Sequence, residues 1–183
     1  HLGRYGQDLK NKESLISLLK ELLAIPEIGR LRLSSIEINE VTDELIALMK
    51  DTDHICQHLH ISLQSGCDKI LKLMKRPYTT EYFKERIAKL REAMPNIAIS
   101  TDIIIGFPGE NGEDFVDTCR FAEEIGFSKI HVFSFSAHEK TAAYTLPDRV
   151  SYEKIKQRSK ILRDISEILE KKYEAETLKK LKG

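Results

Sequence analysis

The sequence predicts an α/β fold in which parallel strands form a partial (β/α) barrel. Short apolar runs alternate with amphipathic stretches along the 183 residues. The links between these segments are too short to reverse the direction of the chain, so successive strands should run parallel as right-handed βαβ units. The apolar runs also end in polar residues, as expected where a ligand meets the carboxyl ends of parallel strands.

Four strands and five main helices are predicted in alternation. The strands are expected at residues 29–35, 58–63, 97–105 and 129–135. The predicted N-caps are Asn11, for a helix through Ile25, then Thr42, then Thr79 or Thr80, then Asn111, and a last long helix starts at Ser151. A shorter helix carries Ile70, Leu71 and Met74.

A barrel and a doubly wound sheet both fit this alternation. Four strand ends carry hydroxyl, amide and carboxylate groups, which favours a shared mouth and therefore the barrel. Only four strands are evident, so the barrel is expected to be partial. We expect Ile61, Leu63, Ile103 and Ile105 to line its inner face.

Composition excludes several classes of protein and indicates a compartment. The 41% hydrophobic and 32% charged residues exclude a disordered chain, a collagen-like fibre and a disulfide mini-protein. Because 29 basic residues balance 29 acidic ones, RNA contacts must come from a local patch or from another domain. The three cysteines show no paired spacing, which indicates a reducing compartment, and no apolar run is long enough to span a membrane. We expect a cytoplasmic location.

Polar residues at two strand ends are candidates for ligand contacts. Gly106 follows the third strand directly, where a glycine lets a flat ligand approach the backbone. Asp102 interrupts the same apolar run and needs a partner, because an unpaired buried carboxylate is costly. Gln64 and Ser65 close the second strand and can bond hydroxyl or carboxylate groups.

Other polar residues have simpler interpretations. His58 and His60 share one face of a strand, but strand histidines are more often structural, and no metal site is predicted. The cysteines lack the spacing of a cluster site. Lys72 and Lys75 fit a solvated helix end, whereas Arg76 abuts a loop and can bind an anion in a bidentate manner.

The order of the sequence blocks resembles one enzyme family. The blocks are Leu31–Glu37, His58–Gly66, Met74–Thr79, Thr101–Gly109 and Ile130–Ser136. Together they resemble the radical S-adenosylmethionine methylthiotransferases over essentially the whole chain. They look most like the branch that modifies threonylcarbamoyladenosine beside the tRNA anticodon. The isopentenyladenosine and ribosomal-protein branches are also similar.

This resemblance implies a larger parent enzyme. The family has a methylthiotransferase domain, a radical SAM partial barrel, an RNA-binding domain and two four-iron four-sulfur clusters. This chain departs from the family because its sequence contains no CxxxCxxC loop. The resemblance therefore implies that residues 1–150 are the C-terminal two-thirds of the radical SAM core. Residues 151–183 would be a helix leading toward an RNA-binding domain outside this chain.

The resemblance also implies an activity. In the parent enzyme, a reduced cluster would cleave S-adenosylmethionine (SAM), and the resulting radical would prepare a modified adenosine of tRNA to receive a methylthio group. The predicted cofactor and substrate contacts are polar residues (Ser35, Glu37, Gln64, Ser65, Arg76) and an adenine-binding set (Gly106, Phe107, His131, Phe133). No catalytic residue or cluster ligand is expected within the chain itself.

Two alternatives remain open: the same chemistry on a ribosomal protein, and a binding or assembly module without turnover. The open edge near Leu31 and Leu33 is further expected to make the chain self-associate or bind a partner, unless its terminal segments fold back over this edge.

Overall fold

Three parallel strands form one sheet in the computed structural model, which describes residues 2–10 and 13–181. The strands are β1 (His58–His60), β2 (Ala98–Ile105) and β3 (Lys129–Ser134), and they lie side by side in chain order. His58 pairs with Ala98, and Ser100 pairs with Lys129. The predicted parallel α/β fold is therefore confirmed.

The first predicted strand, over residues 29–35, is not continuous. Two isolated parallel bridges, Leu31 with Ile55 and Ile36 with Ile61, hold this segment beside β1. The two bridges differ in register by one residue, so a regular ladder cannot run from one to the other. The segment keeps the predicted direction and position, but a kink replaces the regular strand.

Six α-helices and three 3₁₀ turns connect and flank the strands in the described residues. The helices are α1 (Leu15–Leu23), α2 (Asp43–Lys50), α3 (Asp68–Leu73), α4 (Thr80–Ala93), α5 (Gly112–Ile125) and α6 (Tyr152–Leu181), and the 3₁₀ turns are Leu2–Arg4, Ile38–Glu40 and Ala142–Thr145.

The predicted N-caps Thr42, Thr79 and Asn111 are confirmed, because each side chain accepts a hydrogen bond from the first turn of its helix. Asn11 lies outside the described residues, and Ser14 is the N-cap of α1.

The helices cover one face of the sheet, which distinguishes a barrel from a doubly wound sheet. Ile61, Leu63, Ile103 and Ile105 are fully buried in the core that the helices share with the sheet. The prediction that these four residues line the inner face is therefore wrong. Strand side chains alternate between faces, and the buried apolar set belongs to the helix side.

The opposite face carries side chains that are not fully buried. Most of them are polar or aromatic (His60, Asp102, His131, Phe133), and Ile104 lies among them. In a doubly wound sheet helices would cover this face as well. In the wall of a barrel, helices cover one face of strands that follow one another in chain order. The face without helices is therefore the inner face.

The long helix α6 packs along β3, and one of its side chains bonds to the backbone on the edge of β3 that faces away from β2. The Ser166 hydroxyl accepts a hydrogen bond from the Ile130 N–H at 3.0 Å and donates one to the Ile130 carbonyl at 3.2 Å. The Ser134 and Ser159 hydroxyls lie 3.2 Å apart nearer the carboxyl end of the strand. The Ser166 hydroxyl thus satisfies the two backbone groups of Ile130 that a neighbouring strand would otherwise bond. Among the described helices none is long and apolar enough to cross a bilayer.

Candidate functional site at the strand ends

Four of the predicted polar residues line one cavity at the carboxyl ends of the strands. Ser35, Glu37, Gln64 and Arg76 border a space of about 390 Å³. The Arg76 guanidinium donates to the Glu37 carboxylate at 3.0 Å, and their side chains are 27% and 14% exposed. A partly exposed carboxylate beside a guanidinium presents both charges to a ligand that itself carries an ammonium and a carboxylate. We call this space the charged cavity.

The loop after α3 places Arg76 in this cavity. Lys75 adopts a left-handed backbone conformation with φ of 56°, and the Arg76 N–H returns to the Leu71 carbonyl at 2.9 Å. The Tyr78 hydroxyl then bonds the carbonyls of Ser62 and Leu63 at 3.0 and 3.1 Å. These contacts tie the loop to the end of β1, because both carbonyls belong to the residues that follow that strand.

Gln64 holds an unusual backbone conformation between two cavities. Its φ of 71° lies in the left-handed region, which is uncommon for a residue with a side chain. Two hydrogen bonds to β2 fix it there: its N–H donates to the Asp102 carbonyl at 2.8 Å, and its carbonyl accepts from Ile104 at 2.9 Å. Such outliers concentrate at functional sites, where surrounding contacts over-determine them.

The second cavity adjoins the first and is aromatic. It measures about 300 Å³, and its lining includes Gln64, Asp102, Ile104, Phe133 and Phe135. Phe133 is 53% exposed and lies near the carboxyl end of β3, on the inner face of the sheet. An exposed ring beside an amide and a carboxylate can stack on a flat heterocycle while polar groups bond its edge. We call this space the aromatic cavity.

A chain of polar side chains runs along the inner face toward the aromatic cavity. His60 Nε2 lies 3.0 Å from Asp102 Oδ2, and His60 Nδ1 lies 3.0 Å from the Ser100 hydroxyl. His131 faces the same space, with its ring centroid 5.5 Å from that of His60. The partner expected for Asp102 is therefore His60, which the sequence analysis had interpreted only as a structural histidine.

Four predicted residues line neither cavity. One of them, His131, lies on the inner face beside His60, and the other three make contacts at the strand ends. The Ser65 hydroxyl is buried, lies 3.3 Å from the Thr118 hydroxyl and accepts from the Cys67 N–H. The Gly106 N–H donates to the Glu110 carboxylate, with its two oxygens at 3.2 and 3.3 Å. Phe107 packs edge-on against Phe135 at 5.2 Å. Their contacts hold the strand ends in place.

The residues present do not fit an iron–sulfur cluster. Within residues 2–10 and 13–181, no three histidine, cysteine or acidic side chains come together in a way that could hold a metal ion. Burial raises the pKa of the Cys119 thiol to about 11 and also raises that of Cys67, whereas a cluster is bound by thiolates.

A half-barrel wall with cavities at its strand ends defines a class of enzyme cores that bind small ligands at the carboxyl ends of parallel strands. The chain belongs to the radical SAM superfamily, whose sequence pattern matches residues 3–122.

The chain is similar to tRNA methylthiotransferases of known sequence. It is 41% identical over 174 residues to the threonylcarbamoyladenosine tRNA methylthiotransferase of Bacillus subtilis, covering 94% of this chain and 38% of that protein. It is 42% identical over 156 residues to the tRNA-2-methylthio-N(6)-dimethylallyladenosine synthase of Methylacidiphilum infernorum, covering 83% and 33%. The chain thus spans well under half the length of either relative.

Solved structures share its fold. Coproporphyrinogen III oxidase from Escherichia coli, a radical SAM enzyme, superposes with a TM-score of 0.61 at 19% identity, over 85% of this chain and 35% of that one. The radical S-adenosylmethionine methyltransferase TsrM from Kitasatospora setae gives 0.54 at 18% identity, over 66% and 24%. At these identities the likeness concerns the fold alone.

Proposed function

We propose that this chain is the ligand-binding wall of a tRNA methylthiotransferase, which adds a methylthio group to a modified adenosine beside the anticodon. The observation that carries the proposal is the 41% identity that extends over 94% of the chain to a threonylcarbamoyladenosine tRNA methylthiotransferase. Within that enzyme, the role of this chain is to bind and orient SAM and the nucleoside.

The two cavities have the chemistry that SAM requires. Its methionine part carries an ammonium and a carboxylate, which match Glu37 and Arg76 in the charged cavity. Ser35 and Gln64 border the same space and add a hydroxyl and an amide. Its adenine is flat and suits the exposed ring of Phe133 in the aromatic cavity. The donor set therefore fits this cofactor.

The remaining parts of the proposal concern the whole protein. A four-iron four-sulfur cluster would supply the reducing chemistry in the whole protein, and its ligands are proposed to lie outside this chain. Residues 1–150 are proposed as part of the radical SAM core, with residues 151–183 leading toward an RNA-binding domain. Because the chain has no net charge, that domain would supply the main attraction for tRNA. The three unpaired cysteines support a cytoplasmic location.

The test is to express the whole protein that contains this chain in bacteria deleted for their own tRNA methylthiotransferases. Mass spectrometry of digested tRNA should show methylthiolated threonylcarbamoyladenosine. Glu37→Gln and Arg76→Met should reduce it strongly, whereas Lys72→Met, on the exposed surface of α3, should not. If the digest shows methylthiolated dimethylallyladenosine instead, the protein would belong to the branch that modifies that nucleoside. A methylthio group on a ribosomal protein, with unmodified tRNA, would contradict the proposal.

We also propose that the isolated chain self-associates through the side of the sheet beyond residues 29–35. The Leu31 N–H and carbonyl are already bonded to His54 and Cys56, at 2.7 and 2.8 Å. On either side of a bridged residue in a parallel pair the peptide groups point away from the partner, so we propose that those of Arg32 are available on the open side. Such groups can pair with another chain.

A further inference from the structure

The segment between β3 and α6 forms a strap, residues 137–149, at the carboxyl ends of β2 and β3. It begins directly after Ser136, which lines the aromatic cavity. Leu146 of the strap packs against a small buried apolar cluster beside α3. Near the other end, the Asp148 carbonyl accepts a hydrogen bond from the Gly109 N–H at 3.0 Å. The strap is therefore fixed to the same rim of the sheet as the aromatic cavity.

The strap presents an exposed aromatic ring beside a guanidinium. The Arg149 guanidinium carbon lies 5.1 Å from the centroid of the Tyr144 ring. The guanidinium also donates to the Tyr144 carbonyl at 2.6 Å, so two contacts hold it beside the ring. Tyr144 remains 37% exposed, which means that Arg149 does not cover the whole ring. An exposed ring of this kind can stack on a nucleic-acid base, because every base has a flat π face.

The charge of Arg149 distinguishes this pair from a similar contact inside the fold. Arg158 lies over the Phe115 ring, but its side chain is 13% exposed and is paired with the Glu110 carboxylate. Arg149 is exposed, and no carboxylate within residues 2–10 and 13–181 forms an ion pair with it. Its guanidinium therefore has N–H groups available for an anion such as a phosphate.

The position of the pair indicates which base it meets. An enzyme that reacts on a nucleobase takes that base out of the stack and into its site. The base next to it then loses a stacking partner and exposes a π face at the mouth of the site. The strap lies at this rim and offers an aromatic ring and a cation, which together bind single-stranded RNA without reading its sequence.

We propose that Tyr144 stacks on an unpaired RNA base that flanks the target adenosine, and that Arg149 binds a phosphate of the same strand. The inference rests on the proposed function, and it adds a contact with RNA outside the two cavities assigned to SAM. Stacking requires only a π face, so this contact holds the strand in place without selecting the identity of the flanking base.

The experiment titrates two probes into the full 183-residue chain and follows binding by nuclear magnetic resonance. One probe is an RNA hairpin with an unpaired adenosine in its loop, and the other is S-adenosylhomocysteine. Tyr144→Ala should weaken hairpin binding about 5- to 150-fold, the loss typical of one base stacked on an aromatic side chain. It should leave binding of S-adenosylhomocysteine unchanged. Tyr144→Phe keeps the ring and should bind both probes like the wild type.

The matched control is Tyr82→Ala. Tyr82 is similarly exposed, at 38%, but it lies on α4 in the helix layer. This variant should bind the hairpin as tightly as the wild type does. An equal loss in Tyr82→Ala and Tyr144→Ala would show that the effect does not come from the strap, and it would overturn the inference.

Changes in the RNA separate stacking from other effects of the substitution. A hairpin with an abasic site beside the adenosine, placed on the side that stacks, should bind the wild type as weakly as the intact hairpin binds Tyr144→Ala. With that hairpin Tyr144→Ala should cost nothing further, because both changes remove one contact. Arg149→Gln should reduce the slope of log affinity against log salt by about 0.7, the value for one phosphate contact on a single strand.

The outcomes distinguish failure of this inference from failure of the proposed function. If the hairpin binds the wild type and Tyr144→Ala equally well, or if the losses from Tyr144→Ala and the abasic sites simply add, the inference is overturned and the proposed function stands. A loss of affinity for S-adenosylhomocysteine alone would assign the ring to the cofactor and would also overturn the inference. A wild type that binds S-adenosylhomocysteine but not the hairpin overturns the inference alone, and one that binds neither probe overturns both.

Discussion

The Glu110 carboxylate lies 2.6 Å from the Arg158 guanidinium, and this ion pair joins the turn after β2 to α6. The same carboxylate accepts from the Gly106 N–H, and Arg158 also lies over the Phe115 ring. Burial raises the pKa of Glu110, although Arg158 acts in the opposite direction. The turn that carries Gly106 and Phe107 therefore depends on a helix that starts more than forty residues later in the chain.

Arg158→Met should destabilise the chain by about 3–5 kcal/mol at neutral pH, because it leaves a buried carboxylate without its counter-charge. The loss should be smaller in acid. A carboxyl group with a raised pKa contributes stability below its ordinary value and loses that contribution as the pH rises through its folded-state pKa. Urea denaturation at several pH values measures both effects.

The matched control is Lys160→Met, which removes an exposed partner of Asp164 on the same helix and should change stability little. Equal losses in the two variants, or a loss from Arg158→Met that does not vary with pH, would show that Glu110 is not the group responsible.

Gly106→Ala should destabilise the fold by about 2–5 kcal/mol. The backbone there has φ of 82°, and a Cβ would come within 2.3 Å of Ile155 Cγ1 on α6. Gly112→Ala is the control, because nothing lies within 4 Å of a Cβ at that position. Thermal unfolding compares the two, and a Gly106→Ala midpoint close to that of Gly112→Ala would contradict the close helix contact.

Tyr78→Phe should cost about 1–2 kcal/mol, because it removes hydrogen bonds to two carbonyls at the end of β1. Burial raises the pKa of Tyr78 to about 12, so the stabilisation is present below the ordinary value of 10.0 and is lost as the pH approaches 12. Ultraviolet titration should show one tyrosine that ionises at a higher pH than the others. If this high-pH transition is missing in Tyr78→Phe, the tyrosine is Tyr78. A late tyrosine that persists in this variant would refute the assignment.

Anaerobic incubation of the chain with iron and sulfide should leave no stoichiometric brown chromophore. Cys56, Cys67 and Cys119 are separated in sequence, and burial raises the pKa of Cys119 to about 11, so thiolates are scarce at neutral pH. Absorbance and bound-iron analysis after desalting measure the result. A chromophore that cleaves SAM would overturn the assignment of the cluster ligands to residues outside the chain.

Sedimentation at micromolar concentration should reveal species larger than the monomer if the open side near Leu31 pairs with a second copy of the chain. Arg32→Pro removes the N–H that faces this side and should shift the population toward the monomer. A wild-type chain that sediments as a clean monomer would disprove self-association. An Arg32→Pro chain that stays associated would place the contact elsewhere.

The parallel fold was predictable because its signals are local. Thr42, Thr79 and Asn111 precede apolar periodic stretches, and each caps a helix. The break at residues 29–35 was not predictable, because it arises from a one-residue difference in register against the neighbouring segment. The inner-face assignment failed for a related reason: in β2 apolar side chains occupy both faces, so periodicity alone does not identify the one that meets the helices.

The charged cavity was predictable, and so was Phe133 in the aromatic cavity. Ser35, Glu37, Gln64 and Arg76 follow strands or helices directly, and parallel topology brings such positions together. His60 and Asp102 were harder, because they lie on neighbouring strands and only the register of β1 against β2 brings them together. The one usable signal was Asp102 itself, an acidic residue in an apolar run.

Gln64 is the residue that the linings of the charged cavity and the aromatic cavity share, and its side chain ends in a carboxamide. A carboxamide carries hydrogen-bond donors on one atom and an acceptor on another, so the two cavities cannot both receive its donor end. A molecule in the charged cavity that takes the amide oxygen leaves the NH₂ group facing the aromatic cavity, and the reverse holds for the other orientation. A single ligand that spans both cavities, as proposed for SAM, would then meet the carbonyl oxygen of Gln64 on one side and its NH₂ group on the other.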